Sequence, residues 1–120
     1  MKSALLLLVA LAGLPTAALA ADQVFRGRLA ENPNNMVSCR GLDEQIEREH
    51  TVTMSAGKVE YTAPGGTQLR FDPKGPGLWG TTEELGPERM RYTFSPESGA
   101  FTIRENNLGC IWSGTLKPQP

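Results

Sequence analysis

The chain is poor in the residues from which reactive centres are built. One histidine, His50, and two cysteines, Cys39 and Cys110, leave no set of metal ligands at zinc spacing. No Gly-rich phosphate loop, nucleophile elbow or paired Cys-x-x-Cys occurs anywhere. Charge of one sign is also scarce: 12 basic against 13 acidic side chains give a net charge of −1. Such a balance points to neither nucleic acid nor an anionic membrane as partner. No cofactor and no metal is expected from these residues.

What is present begins with a leader. Met1 and Lys2 supply positive charge, Leu5 to Leu11 form a short apolar run, and Ala18-Leu19-Ala20 ends in small residues, which is the layout of a secretory signal peptide. Gly13 and Pro15 interrupt the run well short of the twenty apolar residues a membrane-spanning helix needs. Position 21 is alanine, so the cysteine that would carry a lipid anchor is missing there. These features predict a signal peptide over residues 1–20 and a single exported domain over residues 21–120, in the bacterial periplasm, with no membrane anchor. Loss of Lys2 leaves eleven basic against 13 acidic groups in that domain.

Export to an oxidising compartment predicts that Cys39 and Cys110 pair. Closing a loop of about seventy residues is worth roughly 4 kcal/mol in the chain-entropy picture, a large share of a small domain's stability.

Between frequent glycines and prolines lie stretches of alternating apolar and polar residues, the period of half-buried strands. Phe25, Gly27 and Leu29 share one face of the first. Val52 and Met54 lead into Ser55-Ala56-Gly57-Lys58, and Val59 and Tyr61 leave it, as in a hairpin. Pro64-Gly65-Gly66 forces a reversal. Leu69 and Phe71 make a strand expected to stop at Asp72-Pro73, before Leu78 to Thr82 begins another. Met90, Tyr92 and Phe94 alternate with Arg89, Arg91 and Thr93; Phe101 and Ile103 continue the pattern, and Trp112, Gly114 and Leu116 close it. Leu42 to Glu49 reads either as a short charged helix or, the preferred reading, as a strand that carries Ile46, His50, Val52 and Met54 on one face.

Seven or eight such strands predict an all-β, antiparallel up-and-down meander, closed into a barrel or folded into a sandwich. The first and last stretches share the pattern aromatic-x-Gly-x-Leu, Phe25-x-Gly27-x-Leu29 and Trp112-x-Gly114-x-Leu116, which fits two strands that pair with each other to close the sheet.

Candidate sites are few. Trp79 beside Lys74-Gly75-Pro76-Gly77 could anchor a partner or plug one end of the barrel. Arg26, Arg28, Arg89, Arg91 and Arg104 fall on the solvent side of strands, where they could form a basic stripe for an acidic partner or pair with glutamates across strands. Asp43, Glu44, Glu47 and Glu49 lack the spacing of a calcium loop. The expected function is therefore a non-enzymatic binding or inhibitor-type module for an unknown protein or small ligand. A small hydrophobic-ligand carrier is the first alternative, and a hydrolase using His50 and a carboxylate the second. The inward set Phe25, Tyr61, Phe71, Tyr92, Phe94, Phe101 and Trp112 looks bulky enough to fill the barrel, which counts against a carrier.

Overall fold

The computed structural model describes residues 22–120; the leader expected over residues 1–20 lies outside them. The described chain is all-β, with ten antiparallel strand segments and one short helix. In order they are β1 (Gln23–Arg28), β2 (Ala30–Glu31), a single 3-10 turn (Val37–Cys39), α1 (Arg40–Ile46), β3 (Glu49–Ser55), β4 (Lys58–Thr62), β5 (Gln68–Gly75), β6 (Leu78–Leu85), β7 (Glu88–Phe94), β8 (Ala100–Glu105), β9 (Cys110–Thr115) and β10 (Lys117–Pro118).

From β3 to β9 each strand pairs with the next, as a meander requires. Closure comes from the two ends of the chain. β2 continues β1 past Leu29, and β10 continues β9 past Leu116. Phe25 stands opposite Pro118 and Glu31 opposite Trp112, so one register runs along the whole seam. The amides of Asn32 and Gln119 extend it by donating to the carbonyls of Ile111 and Val24. Since β1 also pairs with β3, the first run is bonded on both sides and the sheet curls into eight staves. The paired pattern seen in the sequence explains the close approach. A Cβ on Gly27 would lie 2.5 Å from the Thr115 carbonyl oxygen, and one on Gly114 would lie 2.4 Å from that of Arg28. Leu116 packs beside the first glycine and Leu29 beside the second, so each strand leaves a gap that the other's leucine occupies.

The alternation fixes the interior. Phe25, Tyr61, Phe71, Tyr92, Phe94, Phe101 and Trp112 are all buried. Their rings meet at centroid distances such as 5.1 Å for Phe25–Phe94 and 5.2 Å for Tyr61–Phe101. Each such ring contributes about 1.5–3 kcal/mol by leaving water, so this column dominates the stability of a small domain. Cys39 and Cys110 form the expected disulfide across 71 residues of chain.

Three sequence expectations are corrected. Residues 40–46 form a helix, and the strand that carries His50, Val52 and Met54 begins only at Glu49. Seven residues are too few to hold a helix by propensity. Here the disulfide fixes Cys39 just before it, the Trp112 indole N–H donates to Asp43 Oδ1 at 2.8 Å, and Ile46 is buried against the core. Strand β5 does not stop at Asp72 but continues to Gly75. Pro73 is tolerated because the pairing with β6 slips between Pro73 and Gly75, a bulge where no ladder donor is needed. Likewise β6 runs on past Thr82 to Leu85, which carries Glu83 to the inward side opposite Met90.

Candidate functional site

The two ends of the barrel differ. At one end, where the turns β3–β4, β5–β6 and β7–β8 lie, Trp79 stands beside the β3–β4 turn. This side chain is half-buried, packed against the core and paired across strands with Pro73 and Phe94. Only a shallow depression of about 200 Å³, bordered by Met54, Ala56 and Lys58, remains beside it.

At the other end the aromatic column stops short of the rim and leaves a cup of about 310 Å³. Helix α1 supplies Leu42, Gln45 and Ile46 on one side, the β4–β5 loop supplies Ala63 to Gly65 and Thr67, and the β6–β7 turn supplies Leu85 and Glu88. His50, Tyr61, Tyr92 and Ile103, all buried, form its floor, and Leu69, Glu83 and Met90 belong to its wall. That volume is at the lower end of the range of small-molecule sites, about 300–1,000 Å³. An apolar lining with a few convergent polar groups is the usual composition of a small-molecule site.

The polar groups of the floor are fixed. His50 Nε2 faces the Ile46 carbonyl, which can only accept, so Nε2 carries the proton and Nδ1 receives the Tyr61 hydroxyl at 2.7 Å. Burial lowers the His50 pKa from its ordinary value, with the Ile46 bond opposing, which keeps the ring neutral. Tyr92 donates its hydroxyl to Glu83 Oε1 at 2.8 Å. Burial, then the Glu83 charge, raises the pKa of Tyr61; burial, then the bond to Glu83, raises that of Tyr92. Both phenols stay protonated; Tyr92 is bonded to Glu83, and Tyr61 feels its charge.

The cup thus contains one residue singled out from the sequence, His50, together with Glu83, which that reading missed. Extending the period of two from Trp79 and Thr81 as far as the Gly86-Pro87 turn places Glu83 inward, and an acidic residue on an inward face is the signal that was available.

The other candidates lie elsewhere. Arg91 and Arg104 stand directly opposite each other on the outer wall, and Arg89 lies 3.5 Å from Glu84. Arg26 and Arg28 are also exposed, on β1, but β9 separates them from Arg104 with the outward residues Ile111, Ser113 and Thr115. The five arginines therefore do not merge into one stripe. Among the acidic residues, Asp43 and Glu47 meet Glu31 with carboxylate oxygens within 4.8 Å of one another. Two of the three have structural bonds: Asp43 accepts from Trp112, and Glu47 accepts from the Glu31 amide at 3.1 Å. Glu105 is buried because its carboxylate accepts the amides of Asn107 and Leu108, holding the β8–β9 turn.

Comparison with models of protein families, with curated proteins and with solved structures finds no match for this chain.

Proposed function

We propose that this chain is a non-enzymatic binding barrel, exported to the periplasm, that takes one small amphipathic molecule into the cup at the α1 end. The observation that carries this reading is the cup itself: about 310 Å³, walled by Leu42, Leu69 and Met90, with Tyr61, Tyr92, Glu83 and His50 at or near the floor and Gln45, Thr67 and Glu88 towards the rim. An eight-stave barrel has room for side chains or for one small ligand. Here the aromatic column takes up one end and the centre, and space remains at the other. The disulfide supports an oxidising location. A hydrolytic role gains no support from His50, whose two ring nitrogens are engaged by Ile46 and Tyr61 and whose bonds include no carboxylate.

The test is titration with N-phenyl-1-naphthylamine, a small neutral probe whose emission rises in apolar surroundings. Its emission should increase with one-site saturation, and Ala63→Trp, which fills the mouth, should abolish the rise while circular dichroism and the melting transition show the barrel intact. A flat titration of the unaltered protein would refute the reading.

A further inference from the structure

Resting on that reading, we infer that the cup selects a cation, a small alkylammonium whose charged head lies against Glu83 and whose tail fills the apolar wall. The argument is one of charge left uncompensated. Among the described residues the lining includes two carboxylates, Glu83 and Glu88, and neither lysine nor arginine. Glu83 is half-buried on the inward side of β6, where a carboxylate loses part of its hydration. Its partner among the described residues is the Tyr92 hydroxyl, a neutral donor that holds Oε1 and orients the group. Oε2 has no protein partner among the described residues, and no ion pair there involves Glu83. A negative charge fixed by a tyrosine and left without a counter-cation is complementary to a ligand that supplies one.

The surroundings of Glu83 fit the same head group. The rings of Tyr61 and Tyr92 adjoin with centroids 5.2 Å apart, and both line the cup. An ammonium ion beside them gains cation–π attraction in addition to the ion pair. His50 offers it no repulsion, because the ring is neutral with Nδ1 occupied by Tyr61. An anionic head would meet two like charges, whereas a neutral alcohol would find hydrogen bonds alone.

The experiment compares three eight-carbon ligands, octylammonium, octanol and octanoate, by calorimetric titration at pH 7 in low salt and by displacement of N-phenyl-1-naphthylamine. Octylammonium should bind about tenfold more tightly than octanol, octanoate more weakly than either, and the preference should shrink as salt is raised. Glu83→Gln should bring the ammonium-to-alcohol ratio to within about twofold. Glu84→Gln, which removes the same charge from the outer face, should leave the ratio unchanged and so exclude a net-charge effect. If the neutral probe binds but the three ligands compete equally, or if the preference survives Glu83→Gln, the cation assignment is wrong and the binding reading stands. If neither the probe nor any of the three ligands binds, both fall.

Discussion

Replacing Gly114 by alanine tests the closure of the barrel directly. The new Cβ would lie 2.4 Å from the Arg28 carbonyl oxygen and 3.1 Å from Leu29 Cδ2, where a real Cβ keeps at least 3.0 Å from a backbone atom. The carbonyl belongs to the facing strand and cannot swing aside as a side chain would. The seam must open by more than half an ångström, at a place where β2 and β10 are only two residues long. Overpacking of this kind costs about 1–3 kcal/mol, and stretching adjacent ladder bonds contributes to the same range. A loss of about 2 kcal/mol in a domain of this size lowers Tm by roughly 8–16 °C. Gly41 provides the control: it lies within α1 with nothing within 4 Å of a built Cβ, so Gly41→Ala should raise stability by about 0.5–1 kcal/mol. Thermal melts of the two variants beside the parent decide the matter. If Gly114→Ala melts within about 3 °C of the parent, the strands are not in the close contact that the register describes.

Three further outcomes follow from particular residues. Because burial lowers the His50 pKa below its ordinary 6.5, the unfolded chain binds that proton more readily than the folded one; stability should be fully present above about pH 6.5 and decline as pH falls below it, and urea midpoints from pH 7.5 to 5 should lose that slope in His50→Gln. In the β3–β4 turn Ala56 and Gly57 both have positive φ, 49° and 80°, so Ala56→Asn, which suits a left-handed residue better, should gain about 0.5–1 kcal/mol by chemical denaturation. Replacing both Cys39 and Cys110 by serine should cost about 2–4 kcal/mol, and hydrogen exchange should show protection lost first in α1 rather than in β7 and β8.

Much of the barrel was legible because alternation is a strong signal where one face of a strand is buried. Met90, Tyr92 and Phe94 pointed inward as read, and the glycine–leucine echo at the two ends of the chain foretold the seam. Helix α1 was legible only as the less favoured of two readings, because its two apolar residues, Leu42 and Ile46, carry little pattern and what holds it is tertiary: a disulfide and the Trp112–Asp43 bond span 71 and 69 residues of sequence. The cup escaped for a related reason. A list of inward aromatic residues gives their volume but not their height along the barrel axis, and here the column ends at Tyr61 and Tyr92, below a rim built by α1 and two loops. The arginine stripe failed on register: period alone places Arg28 and Arg104 outside, and only strand pairing shows that β9 lies between them.

The seam also dictates an order of events. Residue 24 is bonded to residue 119, so no length of nascent chain that lacks the last staves can close the sheet. Until then the unpaired edges of β1 and β8 leave the chain with mostly local hairpins, and non-local closure of this kind is slow. Completion of this fold therefore waits for its most distant pairing, a property that would suit the export proposed above.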